Sequence, residues 1–163
     1  MKPAVFITGA MPSHKALRII EVPEEIRCRF SGKRPIIQLL EDIIMIWNGW
    51  KFTVFSGLIY DGSSDPWFLP RFSQTDRGAD SIAGIHDGGY RAAVELAEQL
   101  GMTLREFRKF IDRAYYYGGI ANKEPKWMMQ VRYVGIRLFG WVPFNWYAKH
   151  PTNPEGLITI EAI

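Results

Sequence analysis

The 163-residue chain has a single cysteine, Cys28, which excludes a disulfide framework or a multi-cysteine zinc site within one copy. No apolar run approaches the roughly 18 to 20 residues that a membrane-crossing helix needs. The opening stretch, Met1 to Lys15, holds a short apolar segment, Ala4 to Met11, punctuated by Pro3, Gly9 and Pro12. It reads as an N-terminal arm or strand over residues 1–16, and a signal peptide is not expected. A glycine-rich phosphate loop is missing, so no nucleotide cofactor is expected, and there is no GxSxG nucleophile motif. The excess of 20 Lys and Arg over 17 Asp and Glu is only +3, too little to point to nucleic acid. Together these absences make a reducing cytoplasm the expected compartment.

A globular composition is what remains, 47% hydrophobic and 23% charged, in a length that suits one domain. Leu17 to Tyr60 is rich in Ile, Val, Phe and Trp between turn residues, the composition of strands. Ile36 to Trp47 also fits a helical stripe, but Asn48-Gly49 decides for strands, because both central residues of a type I′ turn need positive φ. The spacing predicts a hairpin pairing Glu41 to Trp47 with Trp50 to Phe55. Gly57 to Asp80 reads as a long loop, and helical patterning follows it. One helix is predicted from Asp80 or Ser81 through Tyr90 and onward to Leu100. A second begins with the capping-box spacing of Thr103 to Glu106, carries Leu104, Phe107, Ile111, Ala114 and Gly118 on one face, and stops at Gly118-Gly119. A third runs from Pro125 to about Phe139, stopped by Gly140 and Pro143. The expectation is an α+β domain over residues 17–148, a small antiparallel sheet with about three helices over one face. The tail 149–163 could add a short strand near Leu157 to Ile163.

The segment Ile85-His86-Asp87-Gly88-Gly89-Tyr90 is the most informative. On a helix His86 and Tyr90 share a face, with Asp87 about 100° further round. Two adjacent helical glycines cost roughly 1 kcal/mol each relative to alanine, so a close approach should offset them. If the next helix runs antiparallel, Asp112 reaches one ring nitrogen of His86 and fixes its tautomer, leaving the other nitrogen as a general base. Asp61, Asp87 and carbonyls of the Asp61-Gly62-Ser63-Ser64-Asp65-Pro66 turn region would form an oxygen-rich site suited to Ca²⁺ or Mg²⁺. The alternative is structural: His86 and Asp112 satisfy each other, Tyr90 is a core aromatic, and Asp61 caps its turn.

The linked motifs Asp61-Gly62-x-Ser64-x-Pro66, His86-Asp87-x-x-Tyr90, Asp112, and Val134 to Gly140 resemble a phage and prophage family catalogued as domain of unknown function thirteen fifty-three. The resemblance spans about Ile36 to Phe144 and implies a phage or prophage origin without an activity. The chain also resembles, over a shorter motif, phospholipases of the A-two type, with His-Asp-x-x-Tyr on one helix and a later Asp on an antiparallel one. That likeness implies that His86 activates water, Asp112 orients His86, and Asp87 helps to hold Ca²⁺.

Downstream, Trp127, Tyr133, Phe139, Trp141, Phe144, Trp146 and Tyr147 alternate with Lys126, Arg132, Arg137 and Lys149. Trp127 and Phe139 are expected to cap the core, whereas Trp141, Phe144, Trp146 and Tyr147 are expected to form an interaction surface for other phage proteins or a membrane. Arg105, Arg108, Lys109 and Arg113 read as a solvated basic flank. Two functions are consistent with this reading: a metal-assisted ester or lipid hydrolase built on His86, Asp112 and Tyr90, and a non-enzymatic phage accessory or virion-associated protein in which that cluster is structural.

Overall fold

The computed structural model describes residues 5–6, 17–20, 36–60, 78–150, 156 and 158–163. Its strands are β1 (Val5–Phe6), β2 (Leu17–Ile20), β3 (Ile36–Leu39), β4 (Ile43–Trp47), β5 (Trp50–Val54), β6 (Ile59–Tyr60) and β7 (Ile158–Ala162). Between β6 and β7 come helices α1 (Gly78–Arg91), α2 (Ala93–Gln99), α3 (Leu104–Ala121), α4 (Lys126–Phe139) and α5 (Trp141–Lys149). The fold is α+β.

Asn48 and Gly49 take φ of 55° and 82°, and the β4–β5 hairpin closes on them with Trp47 opposite Trp50. The strands are slightly shorter than the spacing predicts, beginning at Ile43 and ending at Val54. They form the centre of a four-stranded antiparallel sheet ordered β1-β4-β5-β7, so the tail does supply an edge strand. A second antiparallel sheet, β2-β3-β6, makes two sheets where one was expected.

Alternation along the strands sends Ile43, Met45, Trp47, Phe52, Val54, Ile158 and Ile160 into the core. The helices meet them there. Phe110 of α3 lies against Trp47, Trp50 and Phe52, and Tyr117 stacks on Trp47 with ring centroids 5.4 Å apart. Phe107, Ile111 and Ala114 of α3 are buried as its periodicity predicts, while Leu104 is exposed at the first turn. The capping box forms: Thr103 Oγ1 accepts from the Glu106 backbone N–H, and the Thr103 N–H donates to Glu106 Oε2 at 2.9 Å. The helix does not stop at Gly118-Gly119 but continues to Ala121.

Helix count is the main correction. The segment predicted to run from Asp80 to Leu100 breaks at Ala92, whose φ of −92° and ψ of 15° leave helical geometry. Gly140 and Pro143 do not end the helical region either; α5 starts directly after Gly140. Pro143 is the third residue of α5, within the first turn, where a missing N–H removes no helical bond. Among the described residues five helices therefore stand where about three were expected. Among the described residues no helix is long and apolar enough to cross a membrane.

Candidate functional site

Helices α1 and α3 pack closely enough to bring the predicted cluster together. Gly89 is the reason: a Cβ placed there would fall 2.5 Å from Ile111 Cγ1 and 2.7 Å from its Cδ1. The close approach that should offset the paired glycines is thus a helix–helix contact.

Around it, His86 Nε2 lies 3.2 Å from Asp112 Oδ1, and the Tyr90 hydroxyl donates to the same oxygen at 2.7 Å. The pairing of His86 with Asp112 follows the antiparallel arrangement inferred from the sequence. The other ring nitrogen is not free, however. His86 Nδ1 faces Asp87 Oδ1 at 3.3 Å, so the ring is held between two carboxylates. Its face packs on Tyr90, with centroids 4.1 Å apart, and on Tyr115 at 5.3 Å.

Asp112 is fully buried and is the hub of the cluster. Arg137 of α4 donates to Asp112 Oδ2 at 2.7 Å, and Arg108 Nε stands 3.8 Å from that oxygen. Arg108 Nη2 also donates to the carbonyls of Ile136 and Arg137, at 2.8 and 2.9 Å, and so closes the last turn of α4. Arg108 is therefore not part of a solvated basic flank, which corrects the expectation for it. The two arginines were missed as cluster members. Arg108 lies four residues before Asp112 on the same helix, a readable i,i+4 signal, but the approach of Arg137 depends on the α3–α4 packing.

Burial alone would lower the His86 pKa, but hydrogen bonds and charges from Asp112 and Asp87 outweigh it and push the group up to about 9. The ring is thus an imidazolium at neutral pH, donating from both nitrogens. Burial likewise favours a neutral Asp112, yet His86, Tyr90 and Arg137 hold its carboxyl below the usual carboxylate range. Tyr90 is raised well above an ordinary phenol, by burial and then by the Asp112 charge, and stays protonated. A general base at neutral pH needs an unprotonated ring nitrogen or a phenolate, and this arrangement favours the protonated form of both His86 and Tyr90.

The residues described do not complete a cation site. Asp87 contributes one carboxylate, whereas Ca²⁺ takes roughly six to eight oxygens. Among the described residues no group of three or more His, Cys, Asp or Glu side chains is gathered for a metal. Asp61, Gly62, Ser64 and Pro66, expected to supply the rest, lie outside the described residues. A separate groove of about 330 Å³ lies beside the hairpin, lined by Trp47, Met102, Phe110, Lys109 and Arg113 among others, and no member of the His86 cluster lines it.

The expected interaction surface is rearranged. Phe144 is only 2% exposed and meets the Tyr90 ring edge-on at 4.9 Å, so it belongs to the core. Tyr147 is half-buried beneath Arg91, whose guanidinium lies 5.9 Å from the ring centre. Trp141 and Trp146 stand out at 52% and 46% exposure. Trp127 and Phe139, expected to cap the core, are instead 60% and 59% exposed. No family model matches the chain, and neither a curated protein nor a solved structure matches it.

Proposed function

We propose that this chain is a non-catalytic accessory protein, of the phage or prophage type its linked motifs resemble, which works by binding. One observation carries the reading: both ring nitrogens of His86 are engaged by carboxylates, in a side chain that is 6% exposed. A nitrogen already donating to Asp87 cannot accept a proton from water. The cluster is better suited to fastening. It joins α1 through His86 and Tyr90, α3 through Asp112 and Arg108, and α4 through Arg137.

Removing one partner of such a buried charged set leaves the others uncompensated, which costs about 3 to 5 kcal/mol. The test is chemical denaturation of His86→Gln and Asp112→Asn beside ester and phospholipid hydrolysis assays with Ca²⁺ or Mg²⁺ present. Lost stability with no turnover in the parent protein supports the reading. Divalent-dependent turnover that disappears in His86→Gln overturns it.

A second reading, a metal-assisted hydrolase, is favoured by one specific feature. Asp112, which Tyr90 also holds, meets Nε2 of His86 while Asp87 stands at Nδ1, and an Asp on one helix orienting a His on its neighbour is what the phospholipase resemblance implies. Under that reading Asp87 would hold the cation together with Asp61, and the cation would supply charge for a developing oxyanion.

A further inference from the structure

Seven of the eleven large hydrophobic side chains exposed among the described residues fall between Trp127 and Trp146. They are not scattered. Trp127, Val134 and Leu138 recur at intervals of seven and four along α4, the spacing of one helical face. The interval of four then continues across Gly140, which has helical φ and ψ, to Val142 and Trp146, with Trp141 alongside. The opposite side of the same helices is already spent on the core, through Met129, Ile136 and Phe144. The α4–α5 arm is therefore apolar on two sides, and one side is left exposed by the described elements, with Trp146 packed on its neighbours Tyr147 and His150.

Charge along the arm is of one sign. From Pro125 to Lys149 there are four cations and no carboxylate, in a chain that elsewhere mixes both. Arg132 and Arg137 are committed inward, to Glu124 and Asp112. Lys126 and Lys149 remain exposed at the two ends of the arm. Three indoles on an apolar stripe, with a lysine at each end and no acid between, match the headgroup level of a bilayer carrying anionic lipid. The aromatic rings enter the boundary with the acyl chains, and the long lysine stems reach back to the phosphates.

We infer that the α4–α5 arm docks flat on an anionic lipid surface, burying Trp127, Leu138, Trp141, Val142 and Trp146 at the interface. This deepens the binding reading above by naming the partner, and its test is independent of the denaturation and hydrolysis measurements that decide the His86 cluster.

The experiment is co-sedimentation and tryptophan emission of the full chain with vesicles of phosphatidylcholine alone and with added phosphatidylglycerol. Two double variants are compared, Trp141→Ser with Trp146→Ser, and Lys126→Glu with Lys149→Glu. All four positions are exposed, and unchanged melting curves show that the fold is retained. Expected are binding and blue-shifted emission on phosphatidylglycerol vesicles only, with affinity lowered ~10-fold or more in each variant, that is about 1.4 kcal/mol. High salt weakens the parent's binding. The inference is overturned if anionic vesicles do not bind, if neutral vesicles bind equally, or if the variants bind like the parent. It is also overturned if the chain self-associates without lipid and the tryptophan variant abolishes that association, which would assign the face to a second copy.

Discussion

Gly89 and Ile111 are in such close register that the smallest added side chain at 89 would overlap Ile111 Cγ1, at 2.5 Å. Ile111 is fully buried and β-branched, so it cannot swing aside. This contact sets the distance between α1 and α3, and with it the distance between His86 and Asp112.

Gly89→Ala is accordingly expected to destabilise the protein by about 1 to 3 kcal/mol through overpacking, despite a gain of roughly 1 kcal/mol in helix propensity. Ile111→Ala empties the same space. Urea denaturation of both single variants and the double should show strong non-additivity, the double being more stable than the summed losses. Additive losses would mean that the two residues do not share the space.

Asp112→Asn should be among the most damaging polar substitutions, costing about 3 to 5 kcal/mol, because His86, Arg137 and Arg108 all lose their counter-charge. His86→Gln, which leaves Arg137 on Asp112, should cost less. Guanidinium or thermal denaturation ranks the two. A reversed order would displace Asp112 from the centre of the cluster.

The pH dependence has a definite sign. His86 binds its proton more tightly when folded, at about 9 against 6.5, so its contribution is complete below pH 6.5 and is lost as the pH rises toward 9. Asp112 behaves oppositely. Its lowered pKa gives stability that is present above about 3.8 and lost as the pH falls below that value. Melting temperature is therefore expected to decline between pH 6.5 and 9, and His86→Gln should flatten that decline. An unchanged alkaline limb in the variant would show that His86 is not the group responsible.

Millimolar Ca²⁺ or Mg²⁺ should leave the melting temperature unchanged if the cluster is a fastening device. Linkage makes the measurement sensitive, since a cation at 100 times its Kd stabilises by about 2.7 kcal/mol. A clear upward shift, abolished by Asp87→Asn, would favour the hydrolase reading.

What the sequence made legible was local. Asn48-Gly49 announced its hairpin because few residue pairs tolerate positive φ twice in succession, and Thr103 with Glu106 announced the start of α3 because the box is a contact within one turn. His86 with Asp112 was reachable from helical spacing plus one assumption of antiparallel packing. The break at Ala92 had no such signature, being neither Gly nor Pro. Pro143 misled because its position in the first turn of α5 depends on where that helix begins. The interior position of Phe144 and the exposure of Trp127 are set by which of two apolar sides of the arm meets the other helices, and periodicity does not distinguish those sides.

Arg108 holds the closing carbonyls of α4 with one nitrogen while another leans toward Asp112. Displacing the end of α4 would therefore disturb the ionic knot beneath it, because a single side chain is common to both.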